Sequence, residues 1–562
     1  MNFTSAASRR FVGVVRRCAL RLATPHRRHP SVLKKIVIKN YKVFRDFVLD
    51  LAPGMNVVVG DNAVGKSTLL EAVNLALTGR LNGAALAVEL SPFLFNLDAA
   101  RAYVQALQRG ERPVPPEILI EVYFDDVVEH AHLKATNNSL REDVPGVRIR
   151  VSFNEDFREE YDAYVADPAQ VTTVPAEYYK VDWLSFSGNS VTARGVPATA
   201  SLIDATAIRL QHGADAYLQT IIGSNLEPNE RVELSRSYRS LRETFSGIDA
   251  VAAVNEKLAG ERGDISDRRL TLSIDLSQRS GWERSLVPHL DDLPFPYVGK
   301  GEQSTLKILL ALNRKKVKDT HVVLIEEPEN HVSFSRLNLL IDKVVQKCAG
   351  KQVLVTTHSA FILNKLGLDE LVLLSPEGGH RITDLPPSTV EYFKKLPGYD
   401  TLRLVLARQA ILVEGPSDEL IVQRAYLDVH GKAPIRAGID VINVRGLSAK
   451  RFLDLAVPLR RRVAVVNDND GDPQKMAAKY ADYARYEFIT IHIGKGDPTT
   501  LEPQVLAANG LERMNQVLGT SYPTETALLK FMLDNKTTWA LAVAESPETI
   551  IMPEYILDAV AL

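Results

Sequence analysis

The stretch that most restricts the fold runs from Met55 to Gly79. It opens with an apolar run, Met55 to Val59, and passes through Gly60, Asn62, Gly65, Lys66, Ser67 and Thr68. It closes on a helical pattern of Leu69, Leu70, Val73 and Leu77 that stops at Gly79. This spacing of glycines, lysine and hydroxyls is that of a phosphate-binding loop between a strand and a helix. Glycines let backbone N–H groups curl around phosphate oxygens, and the helix N-terminus adds the positive end of its dipole. Lys66 is placed to reach the β- and γ-phosphates and Ser67 to offer a hydroxyl to Mg²⁺, so ATP is the expected ligand.

A chain of 562 residues is too long for one hydrophobic core, which predicts two or three domains. Its 45% apolar and 24% charged residues are ordinary for a globular protein. No run reaches the roughly 18 apolar residues of a membrane helix, so no membrane partner is expected. Cys18 and Cys348 stand far apart, outside any Cys/His spacing, which argues against a disulfide framework and a structural zinc site. A reducing, cytoplasmic compartment is the expectation. The net charge of −2 conceals an asymmetry, because seven arginines and no acid lie in residues 1–31. The remainder is more acidic than the total suggests, and nucleic-acid contact by the folded part needs local basic surface. Three readings of the basic leader stand together: a mitochondrial-type presequence, a disordered nucleic-acid-binding arm, or a translation start assigned too early. The third is favoured, since regular patterning begins near Val32 or Leu33.

Apolar residues alternate at Ile36 and Ile38, then at Phe47, Leu49 and Leu51, as in a two-stranded antiparallel element leading into the loop strand. Residues 82–115 read as polar and helical; Ile118 to Phe124, Val147 to Phe153 and Val181 to Val191 read as strands. From Ile203 to about Leu258 the pattern turns helical, either a solvated insertion or a dimerising arm. Strand character returns at Leu270 to Leu276. Gly299, Lys300, Gly301 and Glu302 then open a helix, a second glycine-rich anion site. The apolar strand from His321 ends in Glu326 and Glu327, adjacent acids that repel unless a cation is present. Glu326 is suited to orient Mg²⁺ and its waters, Glu327 to align or polarise the attacking water. Another buried strand ends at His358.

Two later strands also deliver acids. Ala410 to Val413 is followed by Glu414 and Asp418, and Arg462 to Asn467 by Asp468, Asp470 and Asp472. In a parallel sheet both carboxyl ends share one edge. Acids gathered there need counter-charge, and hard oxygen ligands suit Mg²⁺ or Mn²⁺. The run from Asp468 to Asp472 has the look of a calcium loop, but the bidentate Glu expected downstream is missing.

The first part resembles ABC-type ATPase heads, especially those of chromosome-maintenance and repair proteins. The resemblance implies that Gly299 to Glu302 face the γ-phosphate held by another protomer, that His358 senses the γ-phosphate, and that the protein is at least a homodimer. Gly299 stands where such heads have serine, Lys300 replaces the first signature glycine, and Glu326 replaces an aspartate. Nucleotide binding is therefore expected and fast turnover is not. The second part resembles Toprim domains, with Glu414, Asp468 and Asp470 as the defining acids. An ATPase head followed by Toprim is similar to the OLD family of ATP-dependent endonucleases, including relatives of the Gabija and retron nucleases. Glu89 to Asn96, Ile203 to Arg209, Glu327 to Ser333, Thr500 to Pro503 and Asn535 to Thr537 extend that resemblance. It implies an α/β architecture: an ABC-type head over 32–395 with a helical insertion at about 203–265, then a Toprim nuclease domain with a C-terminal extension over 396–562. It further implies DNA as substrate and two metals held by Glu414, Asp418, Asp468, Asp470 and Glu502. Lys536 would add positive charge at the phosphate transition state. Anti-phage defence, with a partner protein or nucleic acid, belongs to the same expectation. A non-cleaving repair or clamp ATPase and a topoisomerase-like enzyme are the alternatives. None of the eighteen tyrosines stands in a context that marks a topoisomerase nucleophile.

Overall fold

A computed structural model describes residues 33–61, 63–204, 210–211, 214–215, 226–246, 248–260, 288–313, 320–375, 378–395, 403–444, 449–469, 471–495 and 499–561. The arginine-rich leader, the expected strand at Leu270 to Leu276, Asn62 and Asp470 lie outside the described residues.

Strands β1 (Leu33–Tyr41) and β2 (Phe44–Asp50) pair antiparallel, with Ile36 opposite Leu49 and Ile38 opposite Phe47. All four are buried, as their alternation predicts. β3 (Met55–Val59) carries the phosphate-binding loop into α1 (Lys66–Thr78). β4 (Ile118–Phe124), β5 (Val144–Phe153) and β6 (Tyr179–Ser185) extend the first sheet in the order β2-β1-β4-β5, with β6 on β5. Next come β7 (Ala200–Asp204), α2 (Pro228–Ser246), α3 (Asp249–Gly260), α4 (Lys300–Asn313), β8 (Val322–Glu326), α5 (Phe334–Lys347), β9 (Gln352–Thr356), β10 (Leu371–Ser375) and β11 (Gly378–Arg381). They build a second sheet in the order β7-β8-β9-β3-β10-β11, parallel except for β11. Helix α1 lies between the two sheets: Leu69, Leu70, Ala72, Val73, Leu75, Ala76 and Leu77 are all buried with residues of both. A helix covered on both sides is apolar nearly all round.

The helical reading from Ile203 needs correction at its start. Ala200–Asp204 is a strand parallel to β8, with Ile203 opposite Ile325 and Asp204 opposite Glu326, and the first helix among the described residues after it is Pro228–Ser246. A five-residue strand of mixed polarity has no period that separates it from the helix beyond it. Helix α2 is largely solvated: its Val232 and Leu241 are each 69% exposed.

The C-terminal part holds β12 (Gln409–Val413), α6 (Pro416–His430), β13 (Ile439–Asn443), α7 (Ala449–Ala456), β14 (Arg462–Asn467), β15 (Ile489–Ile493), α8 (Leu501–Leu518), α9 (Glu525–Asp534), α10 (Lys536–Glu545) and α11 (Glu554–Val560). Its sheet, β13-β12-β14-β15, is wholly parallel. Helices α6, α8, α9, α10 and α11 cover one face. The other face packs on α7 and on the ATPase, since Val57 and Val59 of β3 share one buried cluster with Leu412, Val463 and Val465. Among the described residues no helix is long and apolar enough to cross a membrane.

Candidate functional site

Two groups of polar side chains stand at the carboxyl edges of the two parallel sheets. At the first, Gly65 has φ 106, which a side chain rarely adopts, and a Cβ there would meet Val43 and Phe44 at 2.6 Å. The loop is thus pressed against the β1–β2 turn. Lys66 is buried, and its Nζ donates to the carbonyls of Gly60 at 3.1 Å and Asp61 at 3.0 Å. Burial draws its pKa down, while Glu327, Asp61, Glu329 and Glu326 favour its charge. Ser67 hydrogen-bonds Glu326, whose carboxyl is pushed up by burial and by Asp204 and Glu327. Thr68, next in the helix, is half-buried.

Glu327 leaves the strand with φ 38, and its N–H donates to the Thr356 carbonyl at 3.1 Å. Its carboxylate meets His358 Nε2 at 3.1 Å and accepts from Asn330 Nδ2 at 2.8 Å. Burial and Lys66 hold the His358 pKa down, so the neutral ring donates to Glu327. Glu329 accepts from Thr357 Oγ1 and the His358 N–H, both at 2.6 Å, and fixes the histidine loop. The expected pair Glu326 and Glu327 is therefore brought to Lys66, Ser67 and His358. Asp204, Glu329 and Asn330 join them without having been assigned a role from sequence. Gly299 and Lys300 are exposed at the start of α4. Glu302 pairs with Arg336 at 3.5 Å, and a Cβ on Gly301 would come within 2.1 Å of the His331 carbonyl. This segment is not gathered onto Lys66 within the chain.

At the second edge, Glu414 accepts from Asn467 Nδ2 at 2.8 Å, and Asn467 in turn from Tyr480 at 3.1 Å. Asp418 accepts the Gly415 N–H at 3.0 Å. Asp468 accepts the Leu501 N–H at 3.1 Å and the Tyr555 hydroxyl at 3.2 Å. Burial pushes Asp418 up to about 6, with Glu414 and Glu502 adding to it. Burial and then Asp418 push Asp468 up to about 7. Glu502 is buried at the start of α8, and its Oε1 lies 3.7 Å from Lys536 Nζ at the start of α10. Sequence reasoning missed Asn467 and Tyr555, which hold the acids in place; the position of Asn467 at a strand end was the available signal. Among the described residues no three His, Cys, Asp or Glu side chains converge as a ready-made metal cage. The donor set is nevertheless all carboxylate oxygen, and two buried acids that resist ionisation fit a hard divalent cation.

Residues 405–470 match the family model described as the Overcoming lysogenization defect protein-like Toprim domain. The chain carries an OLD-like Toprim domain behind an ATPase head. The ATPase head matches an AAA domain over 35–144 and the family model described as an AAA domain, putative AbiEii toxin, type IV TA system, over 204–364. DNA replication and repair protein RecF of Lactococcus lactis subsp. cremoris (strain MG1363) is 47% identical over 47 residues, 8% of this chain and 13% of that protein. The chain thus spans only a small part of that relative. RecF of Lachnoclostridium phytofermentans is 22% identical over 392 residues, 60% of this chain and 97% of the relative. Among solved structures, the SMC head domain from Thermotoga maritima is 12% identical, with 62% of this chain and 99% of that one covered and a TM-score of 0.28. The C-terminal region of the Burkholderia pseudomallei OLD protein is 19% identical, with coverage of 28% and 96% and a TM-score of 0.23.

Proposed function

We propose that the protein is a metal-dependent DNA endonuclease whose cutting is governed by nucleotide in the ATPase head, and that it serves in anti-phage defence. The observation that carries the reading is the acid cluster of the OLD-like Toprim edge, where burial, with Glu414 and Glu502, pushes Asp418 up to about 6, and burial with Asp418 pushes Asp468 up to about 7. Carboxyls that share charge so poorly call for a divalent cation. Glu414, Asp418, Asp468, Asp470 and Glu502 would hold Mg²⁺ or Mn²⁺, two ions in all. When bound, such ions supply an activated water and neutralise the leaving oxygen. Asn467, Tyr555 and the Leu501 N–H keep the acids aimed at one edge, and Lys536 offers its charge to a phosphate beside Glu502.

In the head, Gly60, Asn62, Gly65, Lys66, Ser67 and Thr68 would cradle ATP, with Mg²⁺ at Ser67 and Glu326. Glu327, oriented by His358 and Asn330, is the group to align water. The Gly299–Glu302 segment, exposed at Gly299 and Lys300, completes the site of a second copy, which makes the working form at least a dimer. The slow turnover expected of this head suits a sensor.

The test is supercoiled plasmid with Mg²⁺ or Mn²⁺ at varied ATP, comparing native protein with Asp468→Ala and Lys66→Ala. Native protein nicks or cuts, Asp468→Ala falls to background, and Lys66→Ala loses the response to ATP. Persistent cutting by Asp468→Ala would falsify the assignment. No cutting by native protein would favour a non-cleaving repair ATPase, and relaxed religated circles a topoisomerase-like enzyme.

A further inference from the structure

Helices α6 and α10 both start at the candidate metal edge. Asp418 stands in the first turn of α6 and Lys536 is the first residue of α10, with Lys536 Nζ 3.7 Å from Glu502 Oε1. The Lys536 side chain is 64% exposed, so its place is set by the helix that carries it more than by its neighbours. That helix start is loosely held. Asn535 gives α10 no side-chain cap, since its Nδ2 donates back to the Phe531 carbonyl at 3.0 Å. The other end is clasped. Arg424 of α6 is buried, and its Nη1 donates to the carbonyls of Val543 at 2.7 Å and Ser546 at 2.5 Å, while its Nη2 donates to that of Glu548 at 2.8 Å. Its Nε donates to Asp428, one turn on, at 2.8 Å, which supplies the counter-charge that a buried guanidinium needs. The last carbonyls of a helix have no partner within it and carry the negative end of its dipole, so a cation fits there on both counts.

We infer that Arg424 is a positioning residue that sets how far α10 advances along its axis, and through it where Lys536 stands beside Glu502. The inference rests on the reading of the Toprim edge given above and adds the group that places its lysine. At the helical rise, Lys536 lies about 10 Å from Val543 along α10, and Asp418 about 9 Å from Arg424 along α6. The clasp is thus tied to both starts by two rigid spans of nearly equal length. Ile421, Val422 and Ala425 of α6 pack with Trp539, Ala540 and Val543 of α10 in one buried cluster. Apolar burial holds the helices together but is non-directional. The bonds of Arg424 are directional, and they fix the register of one helix on the other. A lysine at 424 keeps the charge but offers a single ammonium where the planar fork spans the carbonyls of Val543 and Glu548 and the carboxylate of Asp428.

The experiment compares plasmid cutting by the full chain, native and Arg424→Lys, at saturating Mg²⁺. The variant loses on the order of tenfold to a hundredfold in kcat, as a displaced catalytic group does, while KM for plasmid and the Mg²⁺ dependence stay native. When Lys536→Ala is added, the loss equals that of Lys536→Ala alone, because Arg424 acts through the lysine. Losses that multiply, or a raised KM with native kcat, overturn the inference and leave Arg424 a brace of the fold. A crystal structure of Arg424→Lys reads the same displacement without activity: the separation of Lys536 Nζ from Glu502 Oε1 grows by about 1 Å or more, and an unchanged separation overturns the inference. If native protein cuts nothing, the nuclease reading fails, and that separation alone decides this one. Should Arg424→Lys fail to fold, Asp428→Asn, which removes only the charge that holds Nε, is taken through the same cycle. Losses that multiply there, or no loss, refute the positioning role equally.

Discussion

At the scale of single residues, Asp468 carries the clearest consequence. Burial and Asp418 raise its carboxyl from the ordinary 3.8 to about 7. Between those values the unfolded chain has released a proton that the folded chain keeps, so stability falls as pH rises through the window and is greatest on its acid side. Asp468→Asn is neutral throughout and escapes the loss. Without metal, its advantage in thermal stability over native protein grows from about pH 4 to about pH 7, reaching on the order of 2 kcal/mol or more. Added Mg²⁺ or Mn²⁺ reverses the order at neutral pH, since only the carboxylate binds it. Thermal melts at stepped pH measure this, and a difference constant across the window would count against it. Glu326, Glu327 and Asp468 stood out in the sequence because acids at the ends of apolar strands repel unless a cation is present, and Asp418, in the first turn of α6, because it follows such a strand closely. Glu329 and Tyr555 were not, because they act through the backbone of His358 and the carboxyl of Asp468, contacts that no local spacing encodes.

At the scale of elements, α2 presents an apolar stripe to solvent. Leu234, Leu241 and Phe245 recur at seven and four residues on one face and are 40%, 69% and 47% exposed. That is coiled-coil spacing without a partner in the chain among the described residues. The proposed dimer would use it, and Leu241→Asp should halve the mass that light scattering gives for native protein while leaving the helix content unchanged. A native monomer, or an unaltered mass in the variant, would remove α2 from the interface. The strands β3, β8, β9, β12 and β14 could be read from sequence because strands buried on both faces are continuous apolar runs. Strand β7 could not. Its partner β8 lies beyond the whole helical insertion, and pairing across such a distance is set by tertiary packing.

At the scale of the molecule, the parallel character of the two sheets follows from apolar strands alternating with helices, but the join between them does not. Two domains parted near residue 395 are what the sequence leads one to expect. Instead, β3, β10, α7, β12 and β14 contribute to one buried cluster across that boundary. No periodicity within either half says which face of its sheet will be covered by the other. The consequence is thermal: halves that share a core cannot lose it separately. The described ATPase and Toprim parts should therefore melt in one calorimetric transition, with van't Hoff and calorimetric enthalpies in agreement. Two resolved transitions would mean that the apolar seam between Val57 and Val463 is a surface on which two independent bodies rest, and no longer the middle of one.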